Sequence, residues 1–112
     1  MDTKLNNTVV DIFTANGDTI KGTLNFYLLY GVKNKWPQAY ARYNRIMMNG
    51  MDDIFDGIDI LYTAYLCALP DETEPMTYED FMQLFDNDVL GVMKQAGQLM
   101  GRKKKADSGT PS

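Results

Sequence analysis

Apolar residues recur at two different periods along this chain, and the change between them falls near Asn25. Before it, Thr8-Val9-Val10-Asp11-Ile12-Phe13-Thr14 is rich in β-branched residues, and Thr19-Ile20-Lys21-Gly22-Thr23-Leu24 repeats that character. The intervening Asn16-Gly17-Asp18 is a turn sequence, so the two runs predict a β-hairpin turning at Asn16-Gly17. From Asn25 the character changes. Phe26-Tyr27-Leu28-Leu29-Tyr30 followed by Gly31 predicts a short buried helix with a glycine stop, with a strand as the alternative.

Pro37 suits the first position of a helix that continues as QAYARYNRIMM. Ala39, Tyr43, Ile46 and Met47 share one side of it, Arg42 and Arg45 lie off that stripe, and Asn49-Gly50 ends it. The clearest helix runs from Met51 to about Leu69. Ile54, Phe55, Ile58, Leu61, Tyr62, Tyr65, Leu66 and Leu69 recur there at three- and four-residue steps. Its opening holds Asp52, Asp53, Asp56 and Asp59. The helix dipole favours carboxylates in the first turn by about 0.3–1 kcal/mol each. The side opposite the apolar stripe predicts that these aspartates stay wet.

Pro70 ends that helix, and residues 71–75 form a loop. Thr77 then caps a helix carrying Glu79, Asp80, Phe81, Leu84 and Phe85, with Asp80 a shorter stand-in for the Glu of a capping box. Met76 is placed to staple against Phe81. Asp86-Asn87-Asp88 starts a last helix whose apolar side is Val89, Val92, Met93, Ala96, Leu99 and Met100. Gly91, Gly97 and Gly101 weaken that helix or admit another backbone. The expected fold is mainly α (α+β): one domain over residues 1–101, an N-terminal β-hairpin followed by about four to five α-helices. Residues 102–112, RKKKADSGTPS, form an expected disordered basic and polar tail.

With 112 residues, the chain can bury a single modest core. Histidine is absent, which removes the commonest general base and metal ligand. Cys67 is the one cysteine and sits in the apolar run YTAYLCALP, so a buried, inert thiol is expected. The polar start MDTKLNN lacks a signal-peptide core, and no apolar run reaches membrane-spanning length. The expectation is a soluble, intracellular protein without membrane association.

The net charge of −4 is unevenly spread. No Lys or Arg occurs from Ile46 to Met93, while Asp and Glu accumulate there. That stretch repels nucleic acid, which needs cations to replace its counterions. It reads as a solvated face, or as a surface for a basic partner or for the basic segments of another copy. The run Arg102-Lys103-Lys104-Lys105 reads as a solubilising helix end, with nucleic-acid or membrane attraction as the weaker alternative.

Candidate chemistry is thin. Asp86-Asn87-Asp88-Val89-Leu90-Gly91 opens like a calcium loop, but Leu90 and Gly97 stand where ligands are required. Asp52, Asp56 and Asp59 share a helical face, yet a catalytic pair needs one carboxylate in a dry pocket. No phosphate-binding glycine pattern occurs. No enzyme activity, cofactor or metal is expected.

The order of elements carries more. The helix ending ILYTAYLCALP, a short acidic loop, and the threonine-capped helix Thr77-Tyr78-Glu79-Asp80-Phe81 precede a terminal helix and a lysine-rich end. Over roughly residues 25 to 105 this resembles the tail assembly chaperones of long-tailed, non-contractile phages. Asn25-Phe26-Tyr27 is similar to the family's early helix.

The resemblance implies a non-enzymatic chaperone. It would coat the aggregation-prone tape-measure protein in the host cytoplasm, assist tail-tube polymerisation around it, and be absent from the mature virion. It also implies self-association as a ring or spiral, and contact with the major tail-tube protein through a frameshifted longer product. An adaptable apolar groove for such a helical partner can draw on Met47, Met48, Met51, Met76, Met82, Met93 and Met100, with Tyr62 and Tyr65. The rival expectation is another acidic phage interaction protein, either a head–tail connector component or a nucleic-acid-mimicking inhibitor.

Overall fold

The structure is a computed structural model that describes the backbone of residues 9–108 and the side chains of residues 9–101. It begins with two antiparallel strands, β1 (Val10–Phe13) and β2 (Thr19–Gly22), in the register Val10↔Gly22 and Ile12↔Ile20. Five helices follow: α1 (Phe26–Lys35), α2 (Pro37–Asn49), α3 (Ile54–Ala68), α4 (Tyr78–Gln83) and α5 (Val89–Ser108). The fold is therefore mainly α with an N-terminal hairpin.

The hairpin turns at Asn16-Gly17, and Gly17 adopts a φ of 93°, which only glycine takes without strain. Thr14 binds the loop shut, its hydroxyl donating to Asn16 Oδ1 at 2.7 Å and accepting from Asp18 N–H at 3.1 Å. Ile12 on β1 and Gly22 on β2 are buried, and Val10 and Ile20 on the same faces pack partly buried against the core. A Cβ on Gly22 would come 3.2 Å from Ala64 Cβ, so the missing side chain lets the hairpin settle on α3. The outer edge of β1 is closed by a side chain. Gln95 of α5 accepts from Phe13 N–H at 2.8 Å and donates to Phe13 C=O at 3.1 Å.

α3 is the axis of the molecule. Every residue from Asp56 to Cys67 is buried, with β2, α1, α2, α4 and α5 against it. Cys67 lies inside, as expected. The large, fully buried side chains Ile46, Ile60, Leu61, Phe81, Phe85 and Val92 meet around it in one cluster. Gly57 marks the tightest crossing: a Cβ there would come 2.9 Å from Met93 Sδ and 3.1 Å from Val92 Cγ1 on α5.

Local signals set most boundaries. Asn25 caps α1 by accepting from Leu28 N–H at 2.9 Å. Pro37 occupies the first turn of α2, and Gly50, with a φ of 90°, ends it. Asp53 caps α3, so the helix begins at Ile54 rather than Met51. Thr77 caps α4 through Asp80 N–H at 3.1 Å, and Asp88 caps α5 through Gly91 N–H at 3.0 Å.

Two expectations need correction. Gly31 does not stop α1, which continues to Lys35 and ends before Pro37, whose ring disfavours helical geometry in the preceding residue. Burial of Val32 beyond Gly31 holds the extra turn against the core. Asp56 and Asp59 do not stay wet, because α2 packs over that side of α3 and its Arg45 and Arg42 pair with them. The helix α5 spans Val89–Ser108. The remainder of the expected disordered tail, residues 109–112, lies outside the described residues, as do residues 1–8.

Candidate functional site

The site begins with the way α1 divides its apolar residues. At about 100° per residue, Phe26, Tyr30 and Tyr27 fall on one side of a helix and Leu28, Leu29 and Val32 on the opposite side. Leu29 and Val32 are buried, and Leu28 is half-buried against the core. The aromatic side faces water: Phe26 is 79% exposed, Tyr27 82% and Tyr30 65%. The segment was expected to be a buried helix. It has only one covered face, because α2 and α3 pack on it from one side.

A groove runs along each flank of this aromatic ridge, and Tyr30 lines both. The groove between α1 and the end of α3 encloses about 810 Å³. Tyr27, Trp36, Leu66, Leu69 and Pro70 form its apolar wall, and the 71–75 loop forms its border. That loop is set by Thr73 N–H donating to Pro70 C=O at 3.2 Å and by Glu72 at a φ of 64°, a left-handed conformation that costs a non-glycine residue about 1 kcal/mol or more. Asp71, Glu72 and Glu74 are all exposed, and none of them joins an ion pair among the described residues.

The second groove, between α1 and α2, encloses about 660 Å³. Phe26, Tyr40, Tyr43, Met47, Met48 and Met100 line it, with Lys33 the one charged lining residue among those described. Lys33 Nζ lies 5.7 Å from the Tyr40 ring centroid, within cation–π range. Burial pushes the Tyr43 phenol up to about 12, helped by Cys67 and Tyr40, so it stays protonated throughout the physiological range.

The residues expected to bind a partner therefore separate. Met47, Met48 and Met100 come together in the second groove, and Met48 is 76% exposed. Met51, Met76 and Met82 are half-buried against the core, and Met93 packs over Gly57. Tyr62 and Tyr65 are corrected outright: both are buried and serve the interior. Tyr62 donates to Met76 C=O at 2.8 Å, and Tyr65 accepts from Met76 N–H at 2.9 Å, so the two hydroxyls fix the approach to α4. Their rings pack with Phe81, whose centroid is 5.1 Å from Tyr62 and 5.3 Å from Tyr65.

The residues missed were Phe26, Tyr27 and Tyr30. Their signal was present, since a helix with apolar groups on both sides must leave one side uncovered unless it lies inside the molecule.

The buried carboxylates form a seam rather than a reactive pair. Arg42 Nε meets Asp59 Oδ1 at 3.0 Å, and Arg45 Nη2 meets Asp56 Oδ1 at 3.1 Å. Burial alone would raise the Asp56 pKa, but Asp52 N–H at 2.7 Å and Arg45 outweigh it and hold the carboxyl below its ordinary value. At Asp59 burial wins over Arg42 and Tyr78, and the pKa is raised. Burial, followed by the charge of Asp59, also pushes the Tyr78 phenol upward. Every buried polar side-chain atom among the described residues has a hydrogen-bond partner, so this seam is satisfied.

Among the described residues no cluster of His, Cys, Asp or Glu could hold a metal ion, and no helix is long and apolar enough to cross a membrane. No family model, curated protein or solved structure matches this chain.

Proposed function

We propose that this protein is a non-enzymatic tail assembly chaperone of a phage with a long, non-contractile tail. In this reading it binds the tape-measure protein in the host cytoplasm, keeps it soluble while the tail tube polymerises, and does not enter the mature virion. The observation that carries the proposal is the aromatic ridge of α1, with Phe26, Tyr27 and Tyr30 exposed between two apolar-walled grooves. Burying one such side chain is worth about 1.5–3 kcal/mol, so three on one ridge give a helical partner enough to grip. Met48, itself exposed, adds an adaptable wall that tolerates the irregular side chains of a long helix.

The same surface supports self-association into a ring or spiral when no tape measure is present. Contact with the major tail-tube protein belongs to the same reading, through a frameshifted longer product. The nucleic-acid-mimicking inhibitor is less well supported. Such an imitator needs its carboxylates spaced like phosphates on one surface, whereas Asp53 and Asp88 are taken up as helix caps and Asp56 and Asp59 face inward onto Arg45 and Arg42. The test is co-expression with a tape-measure protein from the same phage. Raised soluble yield and a co-purifying complex are expected. An insoluble partner with no complex would remove the chaperone reading.

A further inference from the structure

The two grooves beside α1 share an aromatic wall but differ in charge. Asp71, Glu72 and Glu74 line the α1–α3 groove with a single cation, Lys35, an excess of two negative charges, whereas Lys33 is the one charged residue lining the α1–α2 groove among those described. The cations near these grooves are already engaged. Arg42 and Arg45 pair with Asp59 and Asp56, Lys33 lies over Tyr40, and Lys35 Nζ lies 5.6 Å from the Trp36 ring centroid. The three loop carboxylates thus outnumber the one cation that lines their groove, Lys35, and none of them pairs with it in an ion pair among the described residues.

We propose that the α1–α3 groove receives a partner helix that carries Lys or Arg beside its apolar anchors. The anchors pack on Tyr27, Tyr30 and Trp36, and the cations face Asp71, Glu72 and Glu74. This rests on the chaperone reading and names the chemistry of the contact. A purely apolar helix in this groove would strip water from three carboxylates and return nothing. An acidic helix would meet like charge, so the loop rejects it as well as selecting its opposite. Cations on the partner gain both steering during approach and register once bound.

The test uses two labelled synthetic helical peptides built on the same Leu/Ala frame, one with Lys at the flanking positions and one with Glu. Binding is read by fluorescence anisotropy across a salt series. The wild type is compared with a triple variant, Asp71→Asn, Glu72→Gln and Glu74→Gln, all at exposed positions. The wild type should prefer the Lys peptide. The variant should lose about five- to tenfold of that affinity, as expected for three partly exposed ion pairs, and show a flatter salt dependence.

Equal binding of both peptides, binding of neither, or an unchanged salt response in the variant would overturn the proposal. So would sedimentation showing that the wild type, but not the variant, fills the groove with a second copy and excludes the peptide. Co-purification of the tape-measure protein without peptide preference leaves the chaperone reading standing and this inference overturned. A clear Lys preference without any co-purifying partner does the reverse.

Discussion

Two segments of similar composition have opposite fates in this molecule. Ile60-Leu61-Tyr62-Thr63-Ala64-Tyr65-Leu66 in α3 is buried on all sides, whereas Phe26-Tyr27-Leu28-Leu29-Tyr30 in α1 turns its larger aromatics to water. Both runs are apolar, and both contain two tyrosines. What differs is the number of neighbours: α3 is surrounded by strand and helices, and α1 is covered on one flank. Interior position obliges α3 to pair even its carboxylates. Peripheral position leaves α1 with apolar surface that the fold itself does not use.

That contrast orders the expected effects of mutation. The largest belongs to the ring cluster around α3. Phe81→Ala should cost about 3–5 kcal/mol, because it empties a site packed by Tyr62, Tyr65 and Phe85. Denaturant unfolding measures this directly. A loss under 1 kcal/mol would mean that the α3–α4 packing is loose, and the comparison would lose its rigid half.

Next come the two carboxylates, whose effects should have opposite pH signs. The folded state holds Asp56 below its ordinary value of 3.8, so ionised Asp56 stabilises above that pH and loses its contribution as pH falls through the depressed value. Asp56→Asn should therefore cost about 1–2 kcal/mol at neutral pH, a figure discounted for the half-exposed Arg45, and progressively less as pH falls below 3.8. Asp59 is raised above 3.8, so its ionisation costs stability as pH climbs through the raised value. The stability of the wild type relative to Asp59→Asn should accordingly decline as pH rises from 3.8 through the raised value. Thermal unfolding across that range separates the two. Parallel pH profiles for both variants would contradict the burial difference assigned to this seam.

The smallest effect on stability is expected on the ridge. Tyr27→Ser and Tyr30→Ser remove exposed rings and should change unfolding free energy by less than about 0.5 kcal/mol. A loss comparable to that of Phe81→Ala would show that these rings serve the core.

The features legible in the sequence were those governed by near neighbours. Asn16-Gly17, Pro37, Gly50, Thr77 and Asp88 each act within a few residues, and each sits at the boundary it was expected to set. The buried stripe of α2 was likewise readable, with Ala39, Tyr43 and Ile46 inside. Burial of whole elements was not. A stripe along α3 indicates which side must be covered, but it carries no record that α2 also covers the side that holds the aspartates. Asp56 and Asp59 were misread for that reason, although Arg42 and Arg45, off the stripe of α2, were their available partners.

The candidate site was legible only in part for the same reason. Met47, Met48 and Met100 reached one groove, but Tyr62 and Tyr65 turned inward where the aromatic spacing of α3 and α4 met. Apolar residues on both sides of α1 made its buried and exposed faces hard to tell apart by hydropathy alone.

The account turns on whether the ridge of α1 is a binding surface. The most direct measurement is co-purification of the tape-measure protein with the Tyr27→Ser, Tyr30→Ser double variant, beside its melting curve. An unchanged melting temperature with loss of the complex is predicted. A complex retained at the wild-type level by a folded double variant would contradict the account.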